Sequence, residues 1–305
     1  MVLGVSQVNA ALDDDDETIA EVNTLAWQDI TDRLQPFGFN LLGDQIDPNT
    51  GTLAFSNVDV SLPGNSALEV AFRRSTSTRG VMHRNKHWLA DWNLDVPRMS
   101  MLVQQQTGWR WKDGVTGIYD DNRCSLGTTT LNPESRNGKS FASSVFSEGL
   151  NVVGQGGQSQ KVFHTPAITQ ARWSTTSTPK FVTKNHWVFT CLSNISGGGE
   201  GFEARSPNGD TYTFDQLLYT PAPPTKNGNT FLERKLANIY ASKVTDRHGN
   251  EVNYTFSGSK LTKIESTDGR KIELSYVNEA GCNSPGGNKV CRLTTNGRYW
   301  KYSSK

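Results

Sequence analysis

Wherever this chain shows a clear hydrophobic pattern the period is two, with one exception. Leu53 and Phe55, then Val58, Val60 and Leu62, then Leu68, Val70 and Phe72 mark short extended segments between Phe37 and Ser75. Asp47-Pro48-Asn49-Thr50-Gly51 and Pro63-Gly64-Asn65 punctuate them. Alternation broken by Gly, Pro and Asn predicts antiparallel strands that bury one face. The exception lies near the amino terminus. Ile19, Val22, Ala26, Ile30 and Leu34 recur at helical spacing behind the acidic run Asp13 to Glu17, and Pro36 ends the pattern. Carboxylates favour a helix start, so one short helix is predicted within residues 1–35. The acidic run lacks the alternating ligand spacing of a calcium loop and reads as a solvated charge run.

The period-two pattern also repeats as a unit. KVTDRHGNEVNYTF and KIESTDGRKIELSY, between Lys243 and Tyr276, superimpose at a spacing of 20 residues, which places Val244 on Ile264, Gly249 on Gly269 and Phe256 on Tyr276. Forty residues before Gly249 lies Gly209, and Gly297 follows Gly269 at 28, the extra eight residues holding two cysteines. Four copies at a near-fixed period predict a repeat architecture. Each copy places Asn208, His248, Asp268 or Asn296 before its glycine, Gly209, Gly249, Gly269 or Gly297. A two-residue loop would pair Val244 with Asn253 and Ile264 with Glu273, setting apolar residues on opposite faces. A three-residue loop pairs Val244 with Val252 and Ile264 with Ile272, leaving one apolar face. Type I geometry wants Ser or Asp first, tolerates Pro second and closes on a left-handed glycine; the copies supply these features, so each reads as a β-hairpin with a glycine bulge. His248 is thereby a turn residue, not a catalytic one. The fourth copy fits less well, since Leu293 falls off the face that Val290, Trp300 and Tyr302 would share.

Composition narrows the classes. Basic and acidic groups number 31 and 30, so no polycationic footprint supports nucleic-acid binding. No run approaches the ~18 apolar residues of a membrane span. Among four cysteines, Cys282 and Cys291 flank the Gly/Pro-rich loop NSPGGNKV and read as a hairpin staple formed outside the cytosol, against two reduced thiols. The spacing of structural zinc sites is absent. Val8-Asn9-Ala10 has the small-residue character of a signal cleavage site, so residues 1–10 read as the tail of a signal peptide, against ordinary chain.

The repeats, with aromatic–x–aromatic shortly after the glycine, and the stretch GDQIDPNTGTLAFSNVDVSLPGNSALEVAFRRS (Gly43 to Ser75) resemble the RHS/YD-repeat family in the family's order. The likeness covers roughly 39–75 and 201–302 well and the middle loosely. It implies an all-β chain: an amino-terminal antiparallel β domain over 36–199, then YD-type hairpins over 200–305 that begin a β-strand spiral, with Gly197-Gly198-Gly199 as the boundary. In that family such walls form a shell that encloses or presents a carboxy-terminal polypeptide, often a toxin. The partner implied is the carboxy-terminal remainder of a longer protein, this chain being its opening part, and the location is secreted or at a bacterial cell surface.

Two clusters invite chemistry. His83 and His87 sit four apart, but Arg84 and Lys86 would repel a cation and no Glu follows His83, so neither a metal nor any other cofactor is expected. Trp88, Trp92, Trp109 and Trp111 suit a sugar-stacking platform, but tryptophans in β proteins more often pack the core, and the resemblance favours packing. There is no GxSxG elbow, and Gly154-Gln155-Gly156-Gly157 lacks the Lys-Ser/Thr of a phosphate loop. The preferred reading is a non-enzymatic structural module. The alternatives are a carbohydrate- or cell-wall-binding β module and a polysaccharide hydrolase, which would need two convergent carboxylates.

Overall fold

The computed structural model describes residues 44–46, 53–77, 89, 92–112, 119–125, 141, 147, 149–155, 159–165, 179–227, 229–277, 282 and 289–302. The helix predicted within 1–35, His83, His87 and Trp88 lie outside them. Among the described residues the chain is all-β, with no helix.

Four strands form a small sheet: β1 (Asp44–Ile46), β2 (Leu53–Leu62), β3 (Val70–Ser77) and β4 (Asn93–Leu94). After β5 (Arg98–Gln104), β6 (Trp111–Lys112) and β7 (Tyr119–Asp120) make a short two-stranded ribbon. Then come β8 (Asn151–Val153), β9 (Ser159–His164), β10 (Phe181–Thr183), β11 (Val188–Leu192) and β12 (Gly201–Arg205). Two long strands follow, β13 (Thr211–Asn227) and β14 (Thr230–Thr245). The series ends with β15 (Glu251–Ser257), β16 (Lys260–Ser266), β17 (Lys271–Tyr276), β18 (Val290–Thr295) and β19 (Arg298–Lys301).

From β8 to β14 each strand pairs antiparallel with the next, and β5 lies between β8 and β14, closing eight strands into a barrel. Closure removes the open edges that such a sheet would expose. β14 has three neighbours. One edge runs along β13, while the other pairs with β5 over Arg234–Tyr240 and with β15 over Lys243–Thr245. The barrel therefore passes directly into a meander, β15 to β19.

Alternation explains the barrel core. Phe189 faces Ala204 and Ala204 faces Tyr212, while Cys191 faces Phe202 and Phe202 faces Phe214. Met99 and Met101 lie opposite Ile239 and Ala237. Apart from Cys191 these side chains are buried, as one inward face requires. The small sheet buries Val60, Leu68, Val70 and Phe72 in the same cluster as Ile264, Ile272, Leu274 and Leu293 of the meander. β3 lies against β16 and β17, so the two sheets form a sandwich beside the barrel.

Gly197, Gly198 and Gly199, all at positive φ (93°, 85° and 74°), turn the chain from β11 to β12, which pair with each other. The triple glycine thus joins two neighbouring barrel strands. The hairpin at Gly209 likewise belongs to the barrel wall, and the later copies extend from it.

Candidate functional site

Turn chemistry sets the first row of candidate residues. Gly209, Gly249 and Gly269 have φ of 89°, 84° and 88°. Each N–H donates to the carbonyl three residues earlier, on Ser206, Asp246 and Ser266. The register puts Val244 opposite Val252 and Ile264 opposite Ile272. These are type I turns closed by a glycine bulge, with Asn208, His248 and Asp268 just before the glycine. The opening side chain caps the first two of these loops, Ser206 Oγ accepting the Asp210 N–H (3.2 Å). The Asp246 carboxylate accepts the backbone N–H of His248 (2.8 Å) and of Asn250 (2.9 Å) and the Asn250 side-chain amide (2.7 Å). Those bonds, led by the Asn250 amide, hold its pKa below the ordinary carboxylate range.

The fourth turn is different. Asn296 and Gly297 both have positive φ, 46° and 75°, and Thr295 pairs with Arg298. This is a two-residue loop of the primed type that Asn-Gly favours. It puts Leu293 opposite Trp300 and buries Leu293 completely, which resolves its misfit to a three-residue loop.

One turn reaches across to the small sheet. Arg270, next after Gly269, donates to the Leu62 carbonyl (3.0 Å), the Leu68 carbonyl (3.3 Å) and Ser66 Oγ (3.2 Å). Its Nε lies 2.8 and 2.7 Å from the two Asp268 oxygens. That hydrogen bond, ahead of the other causes, brings the Asp268 carboxyl down to about 2. Tyr302 makes a second link, its hydroxyl donating to Asp59 Oδ2 at 2.6 Å. Arg74 pairs with the same Asp59 (2.9 Å) and lies 4.5 Å above the Trp92 ring.

Of the four candidate tryptophans, Trp88 lies outside the described residues. Trp109 is 1% exposed and packs on Phe202 with ring centroids 5.9 Å apart. Trp92 is half-buried under Arg74, and Trp111 lies on β6. Trp109 belongs to a segment bound to the turn between β11 and β12. There Arg123, 2% exposed, donates to the carbonyls of Trp109 (3.0 Å), Gly198 (2.7 Å) and Glu200 (3.0 Å) and pairs with Asp121 (3.1 Å). A Cβ at Gly199 would run into Asp121, so only glycine permits this approach. Glu200 Oε2 accepts the N–H of Cys124 (2.9 Å) and of Ser125 (2.8 Å). Cys124 is disulfide-bonded to Cys191 of β11, with Cα atoms 5.4 Å apart, and Cys282 is bonded to Cys291 (5.9 Å). The first bridge spans 67 residues and has no local signal in the sequence.

β13 and β14 run past the end of their shared barrel pairing as a two-stranded ribbon, where Thr225, Lys226 and Asn227 face Leu232, Phe231 and Thr230. Two aromatic–lysine pairs mark this end: Lys235, still paired with β5, has its Nζ 4.0 Å from the Tyr219 ring centroid, and on the ribbon Lys226 Nζ lies 5.3 Å from that of Phe231. The Tyr219 hydroxyl accepts the backbone N–H of Trp109 (3.2 Å), tying β13 to the segment that carries Trp109. Burial, and then the nearby Arg110, lower the pKa of Lys235. Sequence reasoning passed over Tyr219 and Lys235, whose only flag is the Pro-rich run beside them.

Among the described residues no three His, Cys, Asp or Glu side chains gather as a metal site, and no helix is long and apolar enough to cross a membrane. The chain matches no family model and no curated protein.

Proposed function

We propose that this chain is a non-enzymatic structural part of an RHS/YD-type repeat protein. In this reading it builds the first stretch of a β-strand wall that encloses or presents a carboxy-terminal effector lying outside this sequence. The observation that carries the reading is the meander from β14 to β19. Successive hairpins turn on Gly249, Gly269 and Gly297, and share an apolar face that is buried only by packing against a neighbouring layer. Such units gain stability by accumulation, which suits a wall rather than a catalytic cleft. The two disulfides favour an oxidising compartment, in keeping with a secreted or cell-surface location.

Sequencing the DNA on both sides of this reading frame is the direct test. Further hairpin repeats in frame, followed by a divergent segment, are expected. A flanking frame without another glycine-turn repeat would overturn the proposal.

A further inference from the structure

The inward face of the barrel runs out along β14 into solvent: Ala237 is buried in the core, Lys235 is half-buried, and Glu233 and Phe231 are exposed. Phe231, Glu233, Lys235 and Ala237 alternate onto one side of β14, with Lys226 opposite Phe231 and Tyr219 opposite Ala237. Phe231 is 61% exposed and Tyr219 40%, among the most exposed large apolar side chains described. The two aromatic–lysine pairs are therefore neighbours along one strip, with Phe231 and Lys235 about 13 Å apart at the usual rise per residue.

Charge gives the strip its sign. Lys226 and Lys235 stand on it, and Lys235 Nζ reaches the backbone at Gly108, two residues before Arg110. The carboxylate of Asp121 is already held by Arg110 (2.9 Å) and Arg123 (3.1 Å). Glu233 is the acidic residue between the two lysines.

The edge of the ribbon is closed to a different kind of partner. Pro221, Pro223 and Pro224 lie on β13 beyond its pairing with β12, and a proline has no N–H to offer an added strand. A polypeptide adding by strand pairing is thus disfavoured, whereas a ligand lying across the face is not. Exposed rings stack on the apolar faces of sugars, and adjacent ammonium groups pair with carboxylates.

We propose that the face formed by Tyr219, Lys226, Phe231 and Lys235 binds an acidic polysaccharide, a polymer of uronic-acid type. This site is independent of the wall-building reading, since it stands on this end of β13 and β14 rather than on the hairpin meander.

The test is affinity electrophoresis and calorimetry of the whole chain with polygalacturonate, against dextran, poly-L-glutamate and vesicles of an anionic phospholipid. Polygalacturonate is expected to bind in low salt and to be released as salt rises to about 0.5 M. The triple variant Lys226→Gln/Phe231→Ala/Lys235→Gln is expected to weaken binding at least about tenfold with an unchanged melting temperature. Lys301→Gln, which alters the separate pair of Lys301 with Tyr299, should change nothing. Unaltered binding by the triple variant, equal or tighter binding of dextran, poly-L-glutamate or vesicles, or no binding of polygalacturonate would each overturn the proposal.

Discussion

Arg270 occupies the space that a side chain at Gly64 would need. A Cβ on Gly64 would fall inside the guanidinium, which bonds the Leu62 and Leu68 carbonyls on either side of that glycine. The absence of a side chain at one position is thus what lets another position, over 200 residues away, fasten the small sheet to the meander.

Gly64→Ala should therefore displace Arg270 and cost about 1–3 kcal/mol, the loss of charge-assisted hydrogen bonds to buried carbonyls. Arg270→Ala should cost a similar amount. In a double-mutant cycle read by urea unfolding, the pair should cost little more than either change alone, because both remove one contact. Additive costs would mean that Gly64→Ala does not act through Arg270.

Gly269→Val should lower stability for a different reason. Nothing lies within 4 Å of a Cβ at Gly269, so space is ample and the cost is confined to its φ of 88°. A β-branched residue resists that conformation, and a loss of about 1–3 kcal/mol is expected, with Gly269→Asn milder. Thermal unfolding of the two variants checks the order.

These turns were the most legible part of the chain. Register depends on residues within one hairpin, so Val244, Val252, Gly249 and the capping Asp246 carry the answer locally. Barrel closure does not. β5 must find β14 across more than 130 residues, and no pattern in Arg98–Gln104 names that neighbour. Trp109 shows the same limit, because an exposed ring and a buried one have the same letter. Its burial follows from Phe202 beneath it, a contact set by topology alone. The fourth turn was misfitted for a local reason: Asn-Gly can supply two left-handed residues, which shortens the loop.

Two carboxyl groups should give opposite pH signatures. Burial raises the pKa of Asp95, against the pull of Arg98 and then Arg73, so above the ordinary carboxylate range the native state holds more proton than the unfolded one. Its contribution is therefore lost as pH rises through the raised value. Asp268, held at about 2 chiefly by its hydrogen bond with Arg270, works the other way. Its contribution is lost as pH falls from the ordinary range toward about 2. Asp95→Asn should flatten the first slope and Asp268→Asn the second, measured as unfolding free energy against pH.

The two disulfides should differ in weight. Closing 67 residues restrains the unfolded chain more than closing nine, by about 4 against about 2–3 kcal/mol in the loop-entropy description. Cys124→Ala/Cys191→Ala should thus lower the denaturation midpoint further than Cys282→Ala/Cys291→Ala.

The three neighbours of β14 have a consequence for inheritance. The meander meets the barrel through the short pairing of Lys243–Thr245 with β15, and the unit that follows is 20 residues long. An even number of residues spanning two strands returns the chain to the same direction with the same side inward. An in-frame duplication of that unit therefore lengthens the meander while leaving every barrel pairing as it was. Growth by copying is open on one side of β14, and on the other side the closed ring forbids it.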